Sequence, residues 1–168
     1  MLNLLHSSSH NTDMGLEIER KYLVINDLWK NNVIAESHLQ QGYLANQKNA
    51  SIRIRTGNGK AHLNIKSTTV GIRRLEYEYE IPIADAREML REIALQPYIE
   101  KTRYIVRNGG HDWELDVFAG ENRGLIVAEL ELDSEDEPFE LPVWAGEEVS
   151  GDVKYYNVNL INHPYSRW

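Results

Sequence analysis

The feature that most constrains this chain is a set of like-charged pairs spaced two residues apart. Glu17 and Glu19, Glu76 and Glu78, and Glu129 and Glu131 are Glu-x-Glu pairs, and Glu114 with Asp116 makes a fourth acidic pair. Arg53 with Arg55 and Lys101 with Arg103 are basic pairs at the same spacing, while Lys21, Lys66 and Arg74 stand singly. The alternate positions are largely apolar, as in LEIERKYLV (16–24), ASIRIRT (50–56) and RRLEYEYEIPI (73–83). Spacing of two puts both members of a pair on one face of a β-strand. Any one such strand fits an ordinary sheet with its charged face in water. The set fits that picture less well, because like charges on one face repel and a solvent face mixes signs. A closed barrel with its charge inside accommodates them if cations sit among the carboxylates and oxyanions among the basic groups. Glutamate oxygens are the hard ligands that Mg²⁺ or Mn²⁺ prefer. Acids, bases and divalent metal together describe a polyphosphate site.

Turn chemistry divides the pattern into about eight strands. GNGK (57–60) and NGG (108–110) are hairpin turns, because Asn and Gly tolerate positive φ. Residues 27–32 read as a short helical turn and residues 37–45 as a strand. DAREMLREIAL breaks the rhythm with helical spacing of Ala86, Met89, Leu90 and Ile93, an Asp85/Glu88 capping box, and Pro97 beyond. A short helix is expected over 155–161. Strands linked by hairpins are antiparallel, and eight can close into a barrel. The expected fold is mainly β: an eight-stranded antiparallel barrel enclosing a polar tunnel, with a few flanking helices.

The chain has 168 residues, enough for one domain with a real core. Residues 14–168 are read as that domain. Residues 1–13, rich in Ser, His and Asn, are read as a disordered leader, with Met14 a candidate start and the His6/His10 pair part of the leader. Without cysteine there is no disulfide, zinc-thiolate site or thiol nucleophile, which fits a reducing cytoplasm. The net charge of −8 argues against nonspecific nucleic-acid binding, and no apolar run is long enough for a membrane helix. GNGKAH has neither Walker nor dinucleotide-fingerprint spacing.

The ordered segments EIERK (17–21), QGYL (41–44), SIRIR (51–55), LNIKS (63–67) and RLEYEYEI (74–81) resemble the CYTH superfamily, or triphosphate tunnel metalloenzymes. EKTRY (100–104), WELDVFAG (113–120), VAELEL (127–132) and KYYNVNL (154–160) continue the resemblance in order. It implies a barrel in which Arg and Lys bind a triphosphate and acids bind divalent metal. The chain is most similar to short, stand-alone bacterial tripolyphosphatases, and the resemblance implies a Lys–Tyr dyad at Lys21 and Tyr43. Arg53, Arg55, Lys66, Arg74, Lys101 and Arg103 are then the expected phosphate ligands. Glu17, Glu19, Glu76, Glu78, Asp116, Glu129 and Glu131 are the expected metal ligands for Mg²⁺ or Mn²⁺. Two ions are expected, one bridging phosphate oxygens and one activating water. Lys21 is expected either to move a proton or to position its neighbours. Glu80, Asp112, Asp133 and Lys154 are expected at the rim, His62 as a satisfied polar residue, and Trp113 and Tyr104 in packing.

The expected reaction is hydrolysis of inorganic tripolyphosphate to diphosphate and phosphate in the cytoplasm, with no nucleic-acid or membrane partner and a homodimer possible. An adenylyl cyclase, a nucleoside or thiamine triphosphatase, or a noncatalytic polyphosphate-binding module are the alternatives.

Overall fold

In the computed structural model, which describes residues 15–168, the alternating segments pair into one antiparallel sheet that closes on itself. Residues 1–14, which include Met14 and the His6/His10 pair, lie outside the described residues. The strands are β1 (Leu16–Val24), β2 (Val33–Asn46), β3 (Ala50–Gly57), β4 (Lys60–Ser67), β5 (Arg73–Glu80), β6 (Ile99–Asn108), β7 (His111–Phe118), β8 (Ile126–Glu131) and β9 (Ala145–Glu148). Their order is β5-β4-β3-β2-β6-β7-β8-β1-β9, with β5 also paired to β1. The barrel thus has eight strands, and β9 is an addition. β1 divides one edge between two partners: Leu16–Ile18 faces β5, and Tyr22 and Val24 face β9.

The two hairpins read from turn chemistry are present. Gly57 pairs with Lys60 across Asn58 and Gly59, and Asn108 with His111 across Gly109 and Gly110. All four loop residues have positive φ, the backbone that a two-residue type I′ turn requires.

The charged faces turn inward and the apolar faces outward. Helix α1 (Ile83–Glu92) covers the outside of β3 and β4, where Ala86, Leu90 and Ala94 pack with Ile54 and Ala61. Its start differs from the sequence expectation. Pro82 occupies the N-cap with no side-chain cap bond, so Asp85 lies inside the first turn and no capping box forms. An acid there still complements the helix dipole. On the opposite wall Trp113 packs edge-on against Trp144 and Tyr22, at ring distances of 5.4 and 5.6 Å. Tyr104 meets Trp29, which lies on the short 3-10 turn Leu28–Asn32. The outer face of β5 has no such cover: Leu75, Tyr77 and Tyr79 are exposed.

The inward faces turn apolar at one end of the barrel. Tyr43, Ile99, Phe118, Leu125 and Val127 cluster there with Val149, Tyr155 and helix α2 (Asn157–Asn162), through Leu160 and Ile161. The polar interior stops at this plug.

Gly42 brings helix and barrel together. A Cβ there would lie 2.8 Å from Leu90 Cδ2 and 2.9 Å from Ala94 Cβ. Gly42→Val should therefore destabilise the protein by about 1–3 kcal/mol, the usual cost of overpacking. Urea unfolding checks this; an unchanged midpoint would mean that α1 can lift away freely.

Candidate active site

Inside the barrel a cavity of about 1020 Å³ collects charge from seven strands. Seven acidic side chains line it (Glu17, Glu19, Glu76, Glu78, Glu114, Glu129, Glu131), and so do seven basic ones (Lys21, Lys48, Arg53, Arg55, Lys66, Arg74, Arg103). Tyr43 also lines it. Of the residues singled out from the sequence, only Lys101 and Asp116 are absent from the lining.

Strand register explains who meets whom. Glu17 lies opposite Arg74 across β1 and β5 and bonds it directly. Lys66 Nζ donates to both oxygens of Glu17 at 3.1 Å and contacts Glu76 at 2.8 Å. Arg55 pairs with Glu78 at 2.7 Å, while Arg53 makes only a distant contact with Glu76, at 3.8 Å. On the other wall Lys21 lies opposite Glu129 and holds it at 2.8 Å. Arg103 is the most heavily engaged cation: it bonds Glu114, Glu129 and both oxygens of Asp116. Lys101 also bonds Asp116. Lys101 and Asp116 thus lie buried inside the barrel between the cavity and the apolar plug, where Asp116 anchors Arg103.

Two carboxylates are poorly compensated. Glu19 and Glu131 lie directly opposite each other across β1 and β8. Burial and then the charge of Glu129 raise the pKa of Glu19 to about 7, although Lys21 and Arg74 oppose the shift. Burial and the charges of Glu17, Glu114 and Glu76 push Glu131 up as well. Like charges placed opposite each other are unfavourable unless a cation lies between them. Among the described residues no three acidic or imidazole groups form a ready-made cage. The donor set suits a hard cation that takes a few carboxylate oxygens here and further oxygens from a bound polyanion, as Mg²⁺ does.

The other groups are strongly biased. For Lys21, burial disfavours the charge, but Glu129 and Glu19 outweigh it and raise the pKa, so the ammonium stays protonated. For Lys101 burial dominates and brings the pKa to about 8. Burial and neighbouring Arg53 lower both Arg55 and Lys66. Glu129 and Asp116 resist burial through Lys21, Arg103 and Lys101, and both titrate below the usual range.

These directions set the acid response of the metal-free protein. Glu19, with its pKa near 7, gives the folded state protons, and stability, as pH falls from about 7 towards the unfolded value near 4.5, and the raised pKa of Glu131 acts in the same direction. Glu129, Asp116 and Glu17 are depressed, so their contribution is lost only as pH falls below that value. Metal-free protein should melt a few degrees higher near pH 5 than near pH 7.5, on the order of 2–4 °C per kcal/mol. Thermal scans in chelator check this; a steady fall in Tm from pH 7.5 to 5 would contradict the lumen electrostatics.

Lys21 and Tyr43 share no hydrogen bond among the described residues; Tyr43 belongs to the apolar plug. Several rim expectations meet local partners: Glu80 is 3.8 Å from Lys60, Asp112 bonds Arg107, and Lys154 stacks over Tyr155 and Trp168. His62 lies 3.7 Å from Glu78. Two neutral amides join the charged residues in the lumen without a charge to mark them in the sequence. Asn64, fully buried, donates to Glu76 at 2.8 Å and Glu78 at 2.5 Å and so holds that acidic pair together. Gln41 lines the cavity from β2. Only their inward parity, shared with the charged residues beside them, marks them in the sequence. Lys48 is likewise unmarked, since it sits in a turn outside any alternating run.

With this geometry in hand, the sequence matches the CYTH domain over residues 15–165. The inorganic triphosphatase of Acetivibrio thermocellus is 46% identical over 156 residues, covering 92% of this chain and 99% of that protein. The inorganic triphosphatase of Nitrosomonas europaea is 37% identical over 148 residues, covering 86% and 95%. A crystal structure of an inorganic triphosphatase superposes with a TM-score of 0.62 at 36% identity, covering 86% of this chain and 93% of that one.

Proposed function

The chain belongs to the CYTH domain family, and from that premise we propose that it is a triphosphatase that hydrolyses inorganic tripolyphosphate to diphosphate and phosphate inside the barrel. The observation that carries this reading is the composition of the cavity wall: seven cationic and seven acidic side chains around one space. A bare polyanion would leave the acids unfavourably placed, and bare cations would leave the bases so. A tripolyphosphate carrying divalent cations satisfies both. The names of the two relatives, inorganic triphosphatase, support the same choice of substrate.

Divalent cations, Mg²⁺ or Mn²⁺ and two of them in the active complex, would be held by Glu19 and Glu131, with Glu17, Glu76, Glu78 and Glu129 nearby. Such ions supply Lewis acidity and neutralise phosphate charge. Arg53, Arg55, Lys66 and Arg74 would hold phosphate oxygens and stabilise the charge that spreads over the transferred group. Their carboxylate partners keep them extended into the lumen until substrate arrives. Arg103 would contribute from the opposite wall, with Lys101 and Asp116 fixing its orientation. Water attacks the terminal phosphorus, the bridging P–O bond breaks, and diphosphate leaves. Lys21, kept charged by Glu129 and Glu19, is poorly suited to accept the water's proton. We assign it a positioning role, holding Glu129 against the wall. Tyr43 would border the reacting group from the edge of the plug.

The reading extends to a free, small polyanion met in the cytoplasm, with no nucleic-acid or membrane partner. No helix among the described residues is long and apolar enough to cross a membrane. The uncovered outer face of β5 would be where a second copy packs in a homodimer.

Phosphate release from tripolyphosphate, ATP and thiamine triphosphate, each with Mg²⁺ and Mn²⁺, tests the proposal. Metal-dependent release with tripolyphosphate preferred is expected. Preference for ATP, or cyclic AMP formed from it, would replace the inorganic reading with a nucleotide one. No turnover of any of the three, with tripolyphosphate still bound, would leave a binding module.

A further inference from the structure

Gln41 sits on β2 with 1% of its surface exposed, yet it borders the cavity. Its Nε2 has no hydrogen-bond partner among the described residues. Buried amide donors are normally satisfied, and one without a partner indicates a missing one. Several other side chains in the described structure share this condition, but Gln41 and Arg53 are the two cavity-lining residues whose unpartnered buried atom is a donor. They are also neighbours. Tyr43 faces Arg53 across β2 and β3, so Gln41, two residues before Tyr43, is the diagonal neighbour of Arg53. Diagonal positions lie within common reach of one group.

The contrast with the rest of the lumen gives this its meaning. Arg103 spends its donors on Glu114, Asp116 and Glu129, and Lys21 on Glu129. Asn64, an amide like Gln41, spends its NH₂ on Glu76 and Glu78. On the β2–β3 wall no carboxylate takes up Gln41 Nε2 or Arg53 Nε. A carboxamide also adds no charge to a cavity whose acids and bases already balance.

We propose that Gln41 is a substrate-contacting residue whose Nε2, together with Arg53 Nε, donates hydrogen bonds to non-bridging oxygens of one phosphoryl group. This rests on the triphosphatase reading and names a neutral donor in its binding wall. A hydrogen bond to a charged acceptor is worth roughly 10- to 150-fold in an equilibrium or rate ratio. Gln41→Met keeps the length and removes the donor, so kcat/KM for tripolyphosphate should fall by about that factor. Gln41→Glu, which aims an acceptor at the phosphate, should fall further.

Stability separates this from a structural role. An unpartnered donor replaced by an apolar group of similar shape costs little, so the metal-free Gln41→Met protein should melt at or above the wild-type temperature. A Gln41→Met protein with kcat/KM within about twofold of wild type overturns the proposal. So does one that melts several degrees lower while its folded fraction keeps wild-type kinetics. If wild-type protein hydrolyses no triphosphate, the parent reading fails by itself. Calorimetric titration with pyrophosphate and Mg²⁺ then decides the matter for Gln41: binding by wild type that weakens in Gln41→Met supports the contact, and equal binding or none refutes it.

Discussion

An Asp116→Asn variant should lose about 3–5 kcal/mol of stability, the cost of breaking a buried ion pair from one side. Asp116 is fully buried, and its two oxygens neutralise Lys101 and Arg103. The amide would leave two buried cations with a neutral neighbour and turn an NH₂ group towards one of them. For a domain of this size the melting temperature should fall by roughly 6–20 °C. Activity should fall with it, because Arg103 would lose the group that orients it. Thermal unfolding in chelator is the decisive measurement, since it excludes any contribution from metal. A metal-free variant melting within a degree or two of wild type would return Asp116 to the candidate metal ligands.

The second large effect has the opposite stability profile. Glu131→Gln should reduce metal-dependent phosphate release by about 10²-fold or more, the scale on which a cation's charge stabilisation acts. It should leave the metal-free protein as stable as wild type, or slightly more so. Glu131 has no ion-pair partner among the described residues, and its neighbours Glu17, Glu114 and Glu76 disfavour its charge. Removing that charge relieves repulsion and breaks no salt bridge. Glu19→Gln should behave alike, with a smaller gain because Lys21 and Arg74 partly compensate Glu19. Activity assays across a range of Mg²⁺ concentrations, paired with melts in chelator, check both. Full metal-dependent activity in either variant would falsify the assignment of this carboxylate pair to cation binding.

Asp116 and Glu131 look alike in the sequence, each the second acid of an alternating pair, yet they call for opposite expectations. Alternation reveals which face a side chain occupies, and with the Asn-Gly turn chemistry it anticipates the barrel, the inward charge and both hairpins. It carries no information about which partner a side chain meets there, which is set by cross-strand register. Arg103 lies opposite Asp116, whereas Glu19 lies opposite Glu131. β9 was missed for a related reason: Ala145–Glu148 has no alternation of its own and becomes a strand because β1 offers it a free edge. The apolar plug was unread because Tyr43, Phe118 and Val127 continue the inward parity of charged neighbours, where the alternating pattern alone predicts more charge. Gln41 and Asn64 carry no charge and so did not register in a reading that began from charge.

The divided edge of β1 bears on how the molecule is made. The strand emerges among the first residues of the domain, but its partners are β5, β8 and β9. The backbone of Lys21 is bonded to Ser150, 129 residues later. At roughly 5–20 residues per second of synthesis, that is about 6–25 s in which β2 to β5 can form successive hairpins and β5 can take up only the Leu16–Ile18 end of β1. Glu19 and Lys21, which lie opposite β8, therefore gain Glu131 and Glu129 as neighbours only after most of the chain has been made. The carboxylate pair assigned to cation binding is assembled late, when β8 closes on β1.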